Sequence, residues 1–221
     1  MAGGPTGPSL TRGASVERTW LDEASWVDVV RGWVRGADRL YDTLVAAVPW
    51  RQGRVFRYER WVDEPRLTAG YASVADAPDP VLVDAAKALR ARYGVSFAGF
   101  SLNWYRDGRD SQAFHRDDDL RWLDDTLIAL LVLGARRPFL VRPRSRRYAH
   151  DVPAGGATHD FAPGHGDLLV MGGRCQVGWE HAVPRAPGVA GGRISVQWRW
   201  TARTGRPVQH PSYRAPRTFS R

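Results

Sequence analysis

Cysteine and lysine are almost missing from this chain: Cys175 is its one thiol and Lys87 its one lysine. A lone thiol excludes an internal disulfide framework and suits a reducing compartment. No apolar run approaches the roughly 18 residues that a membrane-spanning helix needs, so no span is expected. Residues 1–13 are rich in Gly, Pro, Ser and Thr and contain no apolar stretch, so they read as a flexible tail rather than a signal peptide. These absences predict a cytoplasmic protein. Repeats are absent too. With lysine nearly excluded, the basic side chains are arginines, and 32 Lys+Arg against 23 Asp+Glu leave a net charge of +9. Arginine favours planar, bidentate contact with phosphate or carboxylate. The same excess also fits a compositional bias with no partner. At 221 residues, 43% of them hydrophobic, the chain is long and apolar enough for one globular domain with a sizeable core.

Between the tail and the centre of the chain, periodicity changes several times. Trp26, Val29, Val30, Trp33 and Val34 recur near helical spacing, which predicts a helix over 20–36 with Asp22 as N-cap, Gly36 as stop and tryptophans in the core. Leu40, Leu44, Val45 and Val48 predict a second helix ended by Pro49. Trp50 to Ala77 loses that period and interleaves Arg51, Arg54, Arg57, Arg60 and Arg66 with Trp50, Phe56, Tyr58, Trp61 and Tyr71. Alternation over Val55–Trp61 predicts a strand, and Pro65 a loop. Such a stretch suits phosphates and stacked bases, or an edge hairpin with solvated arginines. Pro80–Tyr93 is a further amphipathic helix with Gly94 at its end. After it come short strands at Phe97–Tyr105, Thr126–Leu133, Arg137–Arg142, Asp167–Met171 and Arg193–Thr201. The series predicts an α+β fold, with a jelly-roll or sandwich core and helices supplied by the first hundred residues. The Arg142–Arg147 cluster falls in a loop, as a solvated charge run or a phosphate contact.

The stretch N-W-Y-R-D-G-R-D-S-Q-A-F-H-R-D-D-D, from Asn103 to Asp119, contains His115-Arg116-Asp117, and His181 follows 64 residues after Asp117. Two imidazoles and one carboxylate on one face of a metal leave the other face open, as in non-haem Fe(II) oxygenases. The bare pattern is common by chance. The strand Arg193-Ile194-Ser195-Val196-Gln197-Trp198-Arg199 adds to it, because its odd positions share one face and all four are polar. An arginine at each end of that face is costly to bury unless anions meet it. A dicarboxylate is such an anion. Asn103 and Tyr105 likewise share a face and offer an amide and a phenol.

With these stretches assembled, the chain resembles the AlkB family of 2-oxoglutarate/Fe(II) dioxygenases, which oxidatively dealkylate nucleic-acid bases. The resemblance rests on N-W-Y-R-D-G ahead of H-R-D-D-D, then L-V-L-G-A-R-R-P-F-L-V-R, G-H-G-D-L-L-V-M-G-G, W-E-H-A-V-P-R and R-I-S-V-Q-W-R. It covers about Ala37 to Thr201 and is strongest after Phe97. It implies a double-stranded β-helix with Fe(II) held by His115, Asp117 and His181. It also implies 2-oxoglutarate held by Asn103, Tyr105, Arg193 and Arg199, one arginine for each carboxylate end. Asp119 matches a carboxylate placed against the flipped base, and Tyr71 in P-R-L-T-A-G-Y resembles the lid that grips the target nucleotide. The implied layout is a tail over 1–15, one domain over 16–203 and a basic tail over 204–221. Within the domain, helices and lid take 37–94 and the jelly-roll 95–203.

The implied partner is DNA or RNA carrying bases such as 1-methyladenine or 3-methylcytosine, acted on by a monomer with no obligate protein partner and no membrane. Succinate, CO2 and an aldehyde would leave. The rival H-x-D, His165-Gly166-Asp167, lies in a turn that opens a strand, only 14 residues before His181, and the family uses it structurally. His150, His159 and His210 fall in polar or Pro-rich loops. The chain departs from the family at Ser195 and Gln197, where Asn and Thr are usual, and Ala72-Ser73-Val74 lacks an aromatic that some duplex-repair members insert. A 2-oxoglutarate hydroxylase of some other substrate, or a silent nucleic-acid-binding module, are the alternatives.

Overall fold

A computed structural model describes residues 7–57, 59–144, 157–205 and 207. The first half carries strands β1 (Ser9–Leu10), β2 (Glu17–Trp20), β3 (Ser25–Val30) and β4 (Val34–Arg35), then helix α1 (Ala37–Ala47). A hairpin of β5 (Arg51–Arg57) and β6 (Arg60–Tyr71) leads to helix α2 (Pro80–Tyr93). The second half carries β7 (Phe100–Tyr105), β8 (Gln112–His115), β9 (Thr126–Gly134), β10 (Leu140–Pro143), β11 (His159–Asp160) and β12 (Asp167–Gly173). One turn of helix, α3 (Cys175–Gly178), then precedes β13 (Trp179–Val183) and β14 (Arg193–Thr201).

Eight strands form one antiparallel sheet in the order β2-β3-β12-β9-β14-β7-β6-β5, and four form a second in the order β11-β10-β13-β8. The expected α+β jelly-roll with supporting helices is therefore the observed architecture, and each face of the large sheet has its own cover. On one face Ala129, Leu131, Leu133, Ile194, Val196 and Trp198 pack with Leu40 and Leu44 of α1 and Leu82, Ala85 and Leu89 of α2. On the other face Ile128, Leu130, Leu169 and Met171 meet Val141, Trp179 and Val183 of the small sheet. Covering on both faces explains why β9 reads as an unbroken apolar run. Helix α2 begins and ends as its sequence dictates. The Asp79 carboxylate accepts from Val81 N at 2.9 Å, and Gly94 closes the helix in the left-handed region at φ 71°.

Three expectations are corrected. The helix over 20–36 is instead β2, β3 and β4. β3 lies between β2 and β12 with nearly every residue buried. Its apolar residues therefore do not alternate, and a both-faces strand imitates a buried helix in period. Its run of valines favours the pleated form. Asp22 caps no helix: its carboxylate accepts from Ala24 N and from Trp179 Nε1. Gly36 starts α1 rather than stopping a helix. Trp33 is core, whereas Trp20 is 58% exposed.

Second, Pro65 lies inside β6, not in a loop. It sits where the β5–β6 register shifts between Gln52 and Arg54, so the missing N–H breaks no ladder bond. The strand expected over Val55–Trp61 is likewise two strands meeting at the hairpin tip. Third, the flexible tail expected over 1–15 contains β1, which pairs with β4. Residues 1–6 and most of the expected basic tail lie outside the described residues, as do His150, His210 and the Arg146–Arg147 end of the basic loop. Among the described residues no helix is long and apolar enough to cross a membrane.

Candidate active site

Pairing of β8 with β13 sets His115 directly opposite His181. Past His115 the chain leaves the sheet, and Asp117 turns back toward both rings. Its Oδ1 lies 3.6 Å from His115 Nε2 and 3.8 Å from His181 Nε2. All three ligand atoms fall within 4.8 Å of one another, the one such group of His, Cys, Asp and Glu among the described residues. His115 Nδ1 stands 2.9 Å from the Ala113 carbonyl, which can only accept. That contact puts the proton on Nδ1 and leaves the Nε2 lone pair facing the group. Burial, and then His115, push the His181 imidazole down to about 3, so it is neutral. Burial would raise the Asp117 carboxyl, but the Arg199 charge, the largest opposing cause, holds it below its ordinary value. Two ring nitrogens and one carboxylate oxygen form a donor set that fits Fe(II).

The polar face of β14 continues from these ligands into the space between the sheets. Cross-strand pairing sets Arg193 against Tyr105, Ser195 against Asn103 and Gln197 against Ser101. Arg193 is fully buried, and none of its three guanidinium nitrogens has a hydrogen-bond partner in the structure. Burial presses it down to about 10, so it stays charged at neutral pH. A buried guanidinium walled by the rings of Tyr105 and Phe139 lacks only an anion, and a carboxylate of 2-oxoglutarate would supply it. Tyr105 is buried beside it, its phenol pushed up by that burial. Asn103 Oδ1 accepts from Arg66 Nε at 3.0 Å, and Arg66 also bonds Gln112. The two arginines of β14 differ. Arg199 Nη1 lies 2.9 Å from Asp119 Oδ1 and 3.5 Å from Asp117 Oδ2, beside the metal set rather than alone in a pocket.

A cavity of about 960 Å³ opens against Gln197 and Arg199. Asp119 and Trp122 line one side, and Tyr71 and Phe100 another. Tyr71 stacks on Phe100 with centroids 4.9 Å apart. Both residues expected to touch substrate therefore line the same cavity. The rival H-x-D is structural: His165 bonds Asp38 and accepts from Gly134 N, while Asp167 holds Arg31 and two backbone amides. His159 stacks on Phe161 and leans on Trp179. Sequence reasoning missed Gln176, whose Oε1 accepts from Asp117 N at 2.8 Å. It also missed Trp122 and the bond from Arg66 to Asn103, since Arg66 fell in a stretch that suited either phosphate contact or an edge hairpin with solvated arginines. No local pattern marks Gln176, because its partner lies 59 residues away.

Comparison with known proteins bears on this geometry. Residues 72–199 match the family model of the 2OG-Fe(II) oxygenase superfamily. The alpha-ketoglutarate-dependent dioxygenase alkB homolog 3 of Rattus norvegicus is 29% identical over 177 residues, covering 75% of this chain and 60% of that protein. The DNA oxidative demethylase ALKBH2 of Homo sapiens is 26% identical over 178 residues, covering 74% and 68%. The chain thus spans about 60% of the length of the alkB homolog 3 relatives it matches. Among solved structures, a prolyl hydroxylase from Trichoplax adhaerens superposes with a TM-score of 0.56 at 9% identity, over 79% of this chain and 83% of that one. A 2OG-Fe(II) oxygenase family protein from Burkholderia pseudomallei gives 0.52 at 13%, over 78% and 84%. At such identities the structures speak for the fold alone.

Proposed function

The chain belongs to the 2OG-Fe(II) oxygenase superfamily, and from that premise we propose that it oxidatively removes alkyl groups from the nitrogens of nucleic-acid bases. It is an AlkB-like dioxygenase that uses Fe(II) and 2-oxoglutarate. The observation that carries the substrate reading is the cavity beside the metal set, which joins aromatic walls to one carboxylate, Asp119. A flat, polar-edged base suits such walls. In this reading His115 Nε2, Asp117 Oδ1 and His181 Nε2 hold the iron. Arg193 would bind one carboxylate of 2-oxoglutarate, with Tyr105 and Asn103 beside it, and Arg199 would serve the other. When bound, iron, 2-oxoglutarate and O2 supply the oxidising power that hydroxylates the alkyl carbon, after which the aldehyde leaves.

The chain's own residues do the rest. Burial of Arg193 and Tyr105 between two sheets keeps water from the co-substrate. Arg66 fixes the Asn103 amide by taking its oxygen, so the Asn103 N–H groups remain the ones offered. Asp119 accepts from the edge of the extruded base, with Tyr71 and Trp122 as its aromatic surroundings. Extrusion costs roughly a few kcal/mol, least in a single strand or a damaged pair. The hairpin tip carries Phe56 and Trp61, 52% and 59% exposed and packed edge-on to each other. Exposed aromatics beside Arg54 and Arg60 suit stacked bases and phosphates.

The test is anaerobic loading with Fe(II) and 2-oxoglutarate, then air and an oligonucleotide carrying 1-methyladenine or 3-methylcytosine. Mass spectrometry should record loss of the methyl group with the wild type and none with Asp117→Ala. Succinate without demethylation would replace the substrate, and no succinate at all would leave a binding module.

A further inference from the structure

We propose that Gln197 is the positioning residue that makes Asp117 a one-oxygen metal ligand, acting with Gln176 as a clamp on that aspartate. The inference rests on the metal set of the reading above and is independent of the nucleic-acid substrate. Gln197 Nε2 donates to Asp117 Oδ2 at 2.8 Å. The other oxygen, Oδ1, is the one that faces both imidazoles. Gln197 thus occupies the oxygen that a single-oxygen ligand leaves over.

Three observations support this contact. Ser101, the cross-strand partner of Gln197, brings its hydroxyl to 3.4 Å from Gln197 Oε1. That contact points the amide oxygen at the hydroxyl and the amide nitrogen at the carboxylate. The reversed amide would set one acceptor against another. Arg199 reaches the same Oδ2 only at 3.5 Å and lies closer, at 2.9 Å, to Asp119. Gln197 therefore makes the shorter of the two bonds. Gln176, 1% exposed, accepts from Asp117 N and fixes the backbone under the carboxylate.

The consequence is chemical. An Asp117 free to swing would bind iron through both oxygens and take a coordination position that 2-oxoglutarate or O2 needs. A neutral amide donor prevents the swing without adding a charge beside a buried carboxylate.

Co(II) serves as the probe, so that no turnover is involved. Wild type, Gln197→Leu and Ser101→Ala are titrated with Co(II) anaerobically, and then with 2-oxoglutarate, by visible absorption. Thermal unfolding of each metal-free protein runs in parallel. Partners that orient metal ligands are typically worth roughly 10- to 100-fold in metal affinity. Gln197→Leu should lose that much Co(II) affinity, change the Co(II) ligand-field bands and weaken 2-oxoglutarate binding to the Co(II) form. Ser101→Ala should shift the bands in the same direction by less. Wild-type bands and affinities in Gln197→Leu would overturn the proposal. Should that variant not fold, unchanged bands in Ser101→Ala would overturn it instead. Failure of the wild type to bind Co(II), with His115→Ala no different, would overturn the metal set itself.

Discussion

Arg193 is a cation buried against the rings of Tyr105 and Phe139. Its guanidinium is wholly buried and its nitrogens meet no partner. Burying a guanidinium carries a desolvation cost that an apolar side chain does not. Replacing it by a flat-packing apolar side chain should therefore separate stability from function. Arg193→Met is expected to raise the unfolding free energy of the ligand-free protein by about 1–4 kcal/mol, while 2-oxoglutarate binding weakens at least about tenfold. Denaturant melts with and without 2-oxoglutarate check both halves. Arg199 should behave in the opposite way, since it already has Asp117 and Asp119 as partners. Cys175, in contrast, takes no part: burial pushes its thiol up to about 12, so it is an inert core residue.

At the scale of elements, Asp167 ties the start of β12 to the turn after β3. Its carboxylate accepts from Arg31, Gly32 N and Gly164 N. Burial alone would raise its pKa, but the Arg31 bond and the two amides outweigh burial and hold it below the ordinary 3.8. A carboxylate held low when folded contributes its full stability at neutral pH and loses it as pH falls from about 4 through the folded value. The wild type should thus show a steeper acid limb of stability than Asp167→Asn, read as unfolding midpoint against pH between 6 and about 2. The β5–β6 hairpin makes a different kind of prediction. Phe56 and Trp61 support no core, so Phe56→Ser with Trp61→Ser should leave the melting temperature nearly unchanged. If they stack on bases, oligonucleotide binding should weaken by roughly 1–3 kcal/mol per stacked base. Equal affinity for a single-stranded probe would remove the hairpin from the nucleic-acid surface.

For the whole molecule the relevant quantity is a net charge of +9, carried by arginines. Phosphate neutralisation releases counterions, so affinity for single-stranded DNA should fall with salt at a log–log slope of about −0.7 per phosphate contact. A salt-independent affinity would mean that the charge serves no polyanion. The large sheet is the rigid frame behind this surface. It holds the residues proposed for the co-substrate on β7 and β14, while the small sheet supplies both histidines. The metal set therefore lies between two layers, and its integrity should follow the global unfolding transition rather than local fraying.

Local chemistry alone determined a good part of this protein. The alternation of Arg193 to Arg199 defines one polar strand face whatever lies opposite, and Asp79-Pro80 with Gly94 bounds a helix through caps that need no distant partner. The His115–Asp117 spacing and the series of motifs up to His181 carried the metal set and the family. Tertiary structure decided the rest. Only pairing with β12 and β2 tells β3 from a helix, because burial on both faces erases the alternation that marks a strand. Only the packing of α3 against the metal turn brings Gln176 to Asp117, and only the β7–β14 register sets Ser101 behind Gln197. Arg199 and Arg193 look equivalent in sequence, yet one meets carboxylates and the other meets aromatic rings. A side chain's partners across long sequence separations are fixed by sheet register and layer packing, and neither is written in the residues on either side of it.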